Sequence, residues 1–365
     1  MTAHACAAAG MAPLLLEAER LGLGGSGHAS GIVATEASAS FRDFEAAAGR
    51  RAARAHFDQT RRAALDLAAT VRRLGIKAQM AGAGAFRVAA FDAPVKVLRR
   101  EADERRGAGI DGAWQTPAAI ARATGLEATD GGVKLGAWAV CDPFRMVLGF
   151  AAAAAARGAE IFERSPVTKV TFDRKRATVV TARGRIVAAH VVHCTGEPTT
   201  LVRALVRHFH LSQRSLVASA AVPAKVRKAM SPVDTVVIDA DTPPHRIRWT
   251  DDHRVVVSGA DGPRVSARQM EKHLVQRTGQ LMYELSRLYP DVSGVMPAYG
   301  WSMPLALSAD GGLYAGSHRN FPHQLFAFGT AHDPARAFLA SRVILRALQE
   351  SPISEDQYLG FARAL

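Results

Sequence analysis

Short apolar runs alternate with long amphipathic stretches along this chain. The first run, Leu14, Leu15 and Leu16, closes at Glu17. A continuous apolar run this short predicts a buried parallel strand. Ahead of it, residues 1–12 predict the last turns of an alanine-rich helix ending near Gly10. In residues 41–74, Phe44, Phe57, Leu65, Leu67 and Val71 recur among polar positions, which predicts one amphipathic helix. Residues 82–90 predict a strand and 92–106 a charged helix. Residues 114–124 predict a short helix, and 131–141 one or two strands.

Asp142 and Pro143 open a long helix over 144–158, as a capping residue and a first helical residue. Strands follow at 160–163, 167–172, 177–181 and 185–188, the last three joined by basic turns at 173–176 and 183–184. A return strand at 190–193 ends at Cys194-Thr195-Gly196. Strands at 215–222, 235–239, 245–250 and 254–259 have antiparallel-like polar turns between them. A helix is predicted at 265–288, then strands at 296–301, 313–315 and 324–328. In the last helix, 333–350, Asp333 is the expected cap. Phe338, Leu339, Val343, Ile344, Leu345 and Leu348 cover most of its circumference. Arg336, Arg342, Arg346 and Gln349 confine water to one edge, so the helix should be largely buried.

The length of 365 residues predicts two domains. The formal charge is +13, but the arginines are spread over helix faces among acids, with no arginine–aromatic block. That pattern predicts solvated faces and no nucleic-acid partner. No apolar run is long enough for a membrane span, and no signal-peptide pattern is present, so the expected location is cytoplasmic. Cys6, Cys141 and Cys194 are far apart and lack metal-ligand spacing. They read as reduced thiols, with Cys141 and Cys194 in the core; no metal is expected.

The chemistry concentrates after the first strand. Glu17 is followed by Gly22, Gly24, Gly25, Gly27 and Gly31, interleaved with Ser26 and Ser30. A carboxylate at such a strand end can accept hydrogen bonds from both ribose hydroxyls of a dinucleotide. Glycines bring backbone N–H groups close to an anion. The usual first strand and G-x-G-x-x-G are not found ahead of it. A shortened, inactive protein or a start upstream of Met1 are the expectations this raises.

Five segments in order resemble the flavin-dependent D-amino-acid oxidase superfamily, which includes glycine and sarcosine oxidases. They are LLLEAERLGLGGSGHASGI, DPFRMVLGFAAAAAARGAEIF, VVHCTG, GLYAG and FAFGTAHDPARAFLASRVI. The resemblance implies an α/β flavoprotein with an α+β substrate domain. The FAD-binding domain has a Rossmann-like parallel sheet lacking its first strand, and a three-stranded excursion. It comprises residues 1–42, 138–212 and 296–365. The substrate domain, with a large antiparallel sheet, comprises 43–137 and 213–295.

It further implies an enzyme in which FAD takes a hydride from a carbon bearing an amine or hydroxyl. Oxygen or another electron acceptor would then reoxidise it. The alternative is a member that has lost FAD and acts by association; a basic scaffold for polyanions is a third reading. Glu17 matches the ribose acid, or is a surface carboxylate. Ser26, His28, Ser30 and Gly31 match the loop beside pyrophosphate and flavin, or form a plain flexible loop. His28 is a polar cofactor neighbour or a covalent attachment point. Val167 matches the residue whose backbone meets adenine, or is a core valine. Thr195 and Gly196 match a turn on the cofactor, and Gly329, Thr330 and Ala331 lie against the ring. Ala331-His332-Asp333 replaces family glycines and sets Asp333 near charge that grows on flavin reduction. On the substrate side, Arg248 could hold a carboxylate, or face solvent. Tyr299, Trp301 and Tyr314 line the pocket or pack in the core. No catalytic acid or base stands out.

Overall fold

The computed structural model describes residues 1–364, apart from 91–94, 128, 174–175, 229, 231, 233 and 242. The described strands form sheets of two, three, three and ten strands. In the ten-stranded sheet, Pro297–Ser308, Phe209–Ser219, Val255–Gly262, Arg246–Trp249 and Thr235–Asp239 run antiparallel in that spatial order. Ala81–Val88 then joins Thr235–Asp239 in parallel.

Successive side chains of a strand point to opposite faces. Val217, Ile247, Trp249, Val255 and Val257 accordingly share one face. They pack there with Leu281, Leu285 and Leu288 of the helix Met270–Leu288. Arg214, Leu216, Arg246, Arg248, Val256 and Ser258 alternate with them and take the other face, toward the glycine loop.

The parallel part is smaller. Leu14–Leu16 pairs with Glu160–Phe162, and Val191–Gly196 pairs with Phe321–Phe328, both in parallel. Val167–Phe172, Ala177–Thr181 and Gly184–Ala188 form the expected three-stranded antiparallel excursion. The expected combination of parallel and antiparallel sheets with helices is therefore present. The helix Pro334–Leu348 packs against Arg50–Arg73 and Thr2–Ala8. Its cap is Asp333, which accepts the Ala335 N–H at 2.8 Å. Asp142 caps Pro143–Ala155 in the same way, accepting the Arg145 N–H at 3.0 Å.

Several expectations need correction. The helix over 41–74 is two helices, Phe41–Ala48 and Arg50–Arg73. Gly49 between them has φ 82°, which a right-handed helix cannot contain. The helix from 265 begins as a 3₁₀ turn, Ala267–Gln269, before Met270–Leu288. Trp114 lies on a strand, Ala113–Gln115, ahead of the helix Pro117–Thr124. The charged helix is seen as Val95–Ala108, and its expected start at Asp92 lies outside the described residues, as does 174–175 of the basic turn.

Leu14 is 38% exposed instead of buried, because its strand has one hydrogen-bonded neighbour among the described residues. Cys194 is exposed while Cys141 is buried, since strand alternation turns the neighbouring His193 inward. Arg336, expected at the wet edge of the last helix, is 1% exposed. Its Nη2 donates to the Gly311 and Gly329 carbonyls at 2.9 and 2.8 Å, and Nη1 donates to Ser38 Oγ. Those long-range acceptors draw it inside.

Candidate functional site

The strand Leu14–Leu16 delivers Glu17 to the edge of the Glu160–Phe162 strand. The Glu17 N–H donates to the Phe162 carbonyl at 2.9 Å, and the Glu17 carbonyl accepts the Ser165 N–H at 2.8 Å. The carboxylate accepts the Glu19 N–H through Oε1 at 3.0 Å. Val167, half-buried, begins its strand two residues beyond Ser165, so the chain brings it near Glu17.

The glycine loop then folds through tight turns. The Gly27 and His28 N–H groups both donate to the Gly24 carbonyl, at 3.2 and 3.3 Å. Gly31 has φ 74°, and a Cβ there would run into the Cys141 carbonyl and the Arg248 guanidinium. Two side chains from the large sheet pin this loop. Trp301 Nε1 donates to the His28 carbonyl at 2.8 Å, and Arg248 Nε donates to the Ser30 carbonyl. Arg248 Nη1 donates to the Trp249 carbonyl at 2.9 Å. Arg248 is thus a buried residue with two donors on backbone carbonyls, not a solvent-facing one. Tyr299 is 63% exposed with the Arg254 guanidinium 5.5 Å from its ring centre. Tyr314 is in the core, stacked on Phe361 at 4.7 Å.

The C-terminal residues meet this region from the other side. The Gly329 N–H donates to the Gly196 carbonyl at 3.3 Å, so the 195–196 turn and the 329–331 segment do come together. Thr195 itself is exposed, its hydroxyl donating to the Glu197 carbonyl at 2.7 Å. Ala331 and His332 have φ of 49° and 57°, conformations side chains with a Cβ adopt reluctantly. The His332 ring reaches across to the loop. Its Nε2 lies 2.6 Å from the Pro304 carbonyl, and a Cβ on Gly25 would strike the ring. Burial lowers the His332 pKa, so the neutral ring donates from Nε2. Asp333 also accepts the Ala34 N–H, through Oδ2 at 3.1 Å. Burial pushes its pKa up to about 6, against the opposing effect of Arg336.

A cleft opens at the start of the glycine loop, and a polar cluster stands on the large sheet. A cleft of about 580 Å³ is lined by Arg20, Leu21, Leu23, Phe144, Glu163 and Arg164, and by none of the expected cofactor residues. Asp239, Asp241 and His245 lie together, with His245 Nδ1 2.6 Å from Asp239 Oδ2 in a buried pair that closes a hairpin.

The comparisons with known proteins give the family and the fold. The family model for FAD dependent oxidoreductases, DAO, matches residues 1–340. The chain belongs to that family. Its members are flavin-dependent oxidoreductases. Glycine oxidase from Geobacillus kaustophilus has a similar fold, with TM-score 0.76 and 20% identity, over 97% of this chain and 92% of that one. L-proline dehydrogenase from P. horikoshii gives TM-score 0.79 at 15% identity, over 100% and 94%. L-amino acid deaminase from Proteus myxofaciens gives 0.79 at 12%, over 99% and 90%. A search of curated proteins by sequence finds no match.

The DAO family implies FAD. The residues present suit it at the strand end, where the Glu17 carboxylate commits only Oε1 to a backbone N–H among the described residues. The Cβ positions of Gly25, Gly27 and Gly31 are met by the His332 ring, the Gly22 carbonyl, and the Cys141 carbonyl with the Arg248 guanidinium, so these glycines serve the packing of the loop on the chain itself. At one point the fit is tight: the His332 ring packs on Gly25 and would have to turn aside. Sequence reasoning missed three residues of the seam, namely Arg246, Ser258 and the inward turn of His332. The i, i+2 spacing of Arg246 and Arg248 on one strand was the available signal for the first. No described helix is long and apolar enough to cross a membrane.

Proposed function

We propose that this chain is an FAD-dependent oxidoreductase that removes a hydride from the C–H next to an amine or hydroxyl of a small molecule. The reading rests on one coincidence: the DAO family match over residues 1–340 includes a glycine loop held between the large sheet and the cap of the last helix. Bound FAD supplies the hydride acceptor, and oxygen or another electron acceptor regenerates it.

The chain's own residues bind and orient. Glu17 holds ribose hydroxyls, and the Val167 backbone meets adenine. Ser26, His28, Ser30 and Gly31 run along the pyrophosphate and ring, and Thr195 and Gly196 pack on the cofactor. Gly329, Thr330 and Ala331 back the ring. Arg248 and Trp301 act by fixing the loop from the substrate side, and Tyr299 stands at its exposed rim. The cofactor domain then comprises 1–42, 138–212 and 296–365, and the substrate domain 43–137 and 213–295. Phe209–Ser219 and Pro297–Ser308 reach from the first into the large sheet. The substrate is an amino acid or amine, the chemistry named for the glycine oxidase, proline dehydrogenase and amino acid deaminase neighbours.

The visible absorption spectrum of the purified chain tests this. Flavin bands, intrinsic or acquired with added FAD, are expected. A protein that stays colourless with FAD sinks the proposal. The observation favouring a non-binding member is the His332 ring against Gly25. His332→Gly separates the two readings: a gain of FAD binding only on substitution assigns the wild-type chain to the second.

A further inference from the structure

The helix Met270–Leu288 covers the large sheet with Leu281, Leu285 and Leu288, and turns a different row of side chains to solvent. Glu271, Val275, Gly279, Tyr283 and Arg287 are all exposed, and each lies four residues from the next. Residues at that spacing form a continuous ridge on a helix surface. Val275, at 73%, is the most exposed large apolar side chain among the described residues, and Tyr283 is at 63%. The sheet's edge strand comes alongside, since a Cβ on Gly300 would strike Thr278. Pro297, Ala298 and Gly300 are exposed there as well.

Gly279 sits at the middle of this ridge. A glycine inside a helix destabilises it relative to alanine. Gly149, inside the helix Pro143–Ala155, has a reason in this chain, because a Cβ there would run into Ile76. A Cβ on Gly279 would meet nothing within 4 Å. No packing among the described residues calls for this glycine, so its use is outward: it lets a second surface approach the helix closely. The ridge is also complementary to itself. A twofold axis through Gly279 sets Val275 opposite Tyr283 of the partner subunit, and Glu271 opposite Arg287 of the partner subunit. Thr278 then faces Gln280 of the partner subunit, and no like charges fall directly opposite each other. Arg287 also meets Glu284 of its own chain at 3.1 Å. The ridge thus carries one acid and one base at its two ends and no net charge, which gives it no pull toward an anionic surface.

We propose that this ridge is a homodimer interface, in which the helix Met270–Leu288 crosses its own copy at Gly279. Ridges of this spacing pack into each other's grooves with the helices crossing at about 50°. Val275 and Tyr283 bury on either side of the crossing point, and Glu271 and Arg287 close its two ends. The interface lies behind the large sheet, on the face away from the glycine loop. Both copies therefore keep the seam open, and the pairing is independent of the flavin reading.

Sedimentation equilibrium of the full chain is the test, with and without added FAD. The mass of two chains is expected for wild type at micromolar concentration. Val275→Glu and Tyr283→Glu should each raise the dimer Kd by about tenfold or more. Gly279→Ala should weaken the dimer too, while raising Tm at dilutions where wild type is monomeric. Charge reversal tests the axis. Glu271→Arg and Arg287→Glu should each weaken self-association, since each sets like charges opposite at both ends. An equimolar mixture of these two variants should restore the dimer, because every opposed pair is then of opposite sign. A monomeric wild type overturns the proposal, and its sedimentation with phosphatidylglycerol vesicles would assign the ridge to a membrane instead. A dimer that Val275→Glu and Gly279→Ala leave unmoved places the contact elsewhere and overturns it as well. So does a charge-reversed mixture that associates no better than its components.

Discussion

The ten-stranded sheet buries a core on one face, part of it under the helix Met270–Leu288, with Val217, Val255 and Leu281 all fully buried. The parallel strand Leu14–Leu16 leaves Leu14 38% exposed, and Phe162 of its partner is 46% exposed. The contrast extends to polar groups. Beyond the sheet's other face, Glu36, Arg105 and Glu101 form a buried chain of opposite charges. At Glu17, one backbone N–H meets a carboxylate at the surface. The large sheet is thus held by packing and by buried ion pairs, with Glu36 supplied from the N-terminal stretch. The Leu14–Leu16 arm has lightly covered apolar residues and a carboxylate at the surface. Such a division suits a protein whose ligand completes one half, because binding energy then adds stability where the chain supplies least.

Breaking the buried charges should produce the largest effect. Glu36→Ala leaves Arg105 and Arg87 without a shared acceptor and should destabilise by about 3–5 kcal/mol, read from urea unfolding. A loss below about 1 kcal/mol would show that water replaces the carboxylate. Leu281→Ala opens a cavity beneath the large sheet and should lower stability by about 2–5 kcal/mol in the same assay.

Asp333 links the two regions through pH. Its folded pKa, about 6, is raised above the ordinary carboxylate value by burial. The folded state therefore holds this proton more tightly than the unfolded chain. The associated stability is fully present below about pH 4 and is lost as pH rises through about 6. Asp333→Asn removes this dependence and keeps a capping oxygen. The stability difference, Asn minus Asp, should grow by about 1–2 kcal/mol from pH 5 to pH 7; a difference independent of pH contradicts the assignment. The smallest effect belongs to the parallel strand. Leu14→Ala should change stability by less than about 1 kcal/mol without ligand, because little of its surface is removed from water. A loss equal to that of Leu281→Ala would erase the contrast between the halves.

Much of this was legible along the chain. The caps at Asp142 and Asp333 were readable because a side-chain oxygen two or three residues from an unpaired N–H needs no distant partner. The glycine loop was readable because positive φ at Gly31 is a local demand. The three-stranded excursion was readable from turn residues between short apolar runs. Arg336 misled because its helical position pointed outward while its acceptors, the Gly311 and Gly329 carbonyls and Ser38, lie far away in sequence or beyond its helix. Cys194 misled because an apolar context does not say which of two strand faces is covered.

Most element types, the caps at Asp142 and Asp333 and the glycine loop were determined by sequence alone, since each depends on residues within a few positions of one another. Which arginines have counterions was decided only by tertiary structure. Arg87, Arg105, Arg214, Arg246 and Arg248 are alike in sequence, and all stand on or beside one sheet face. Glu36, Glu101 and Asp261 come from three different stretches of chain to neutralise three of them. Arg248 is held by backbone carbonyls, and Arg246 is left facing the seam. Coulomb attraction and burial act through space, so strand register and sheet order set that balance.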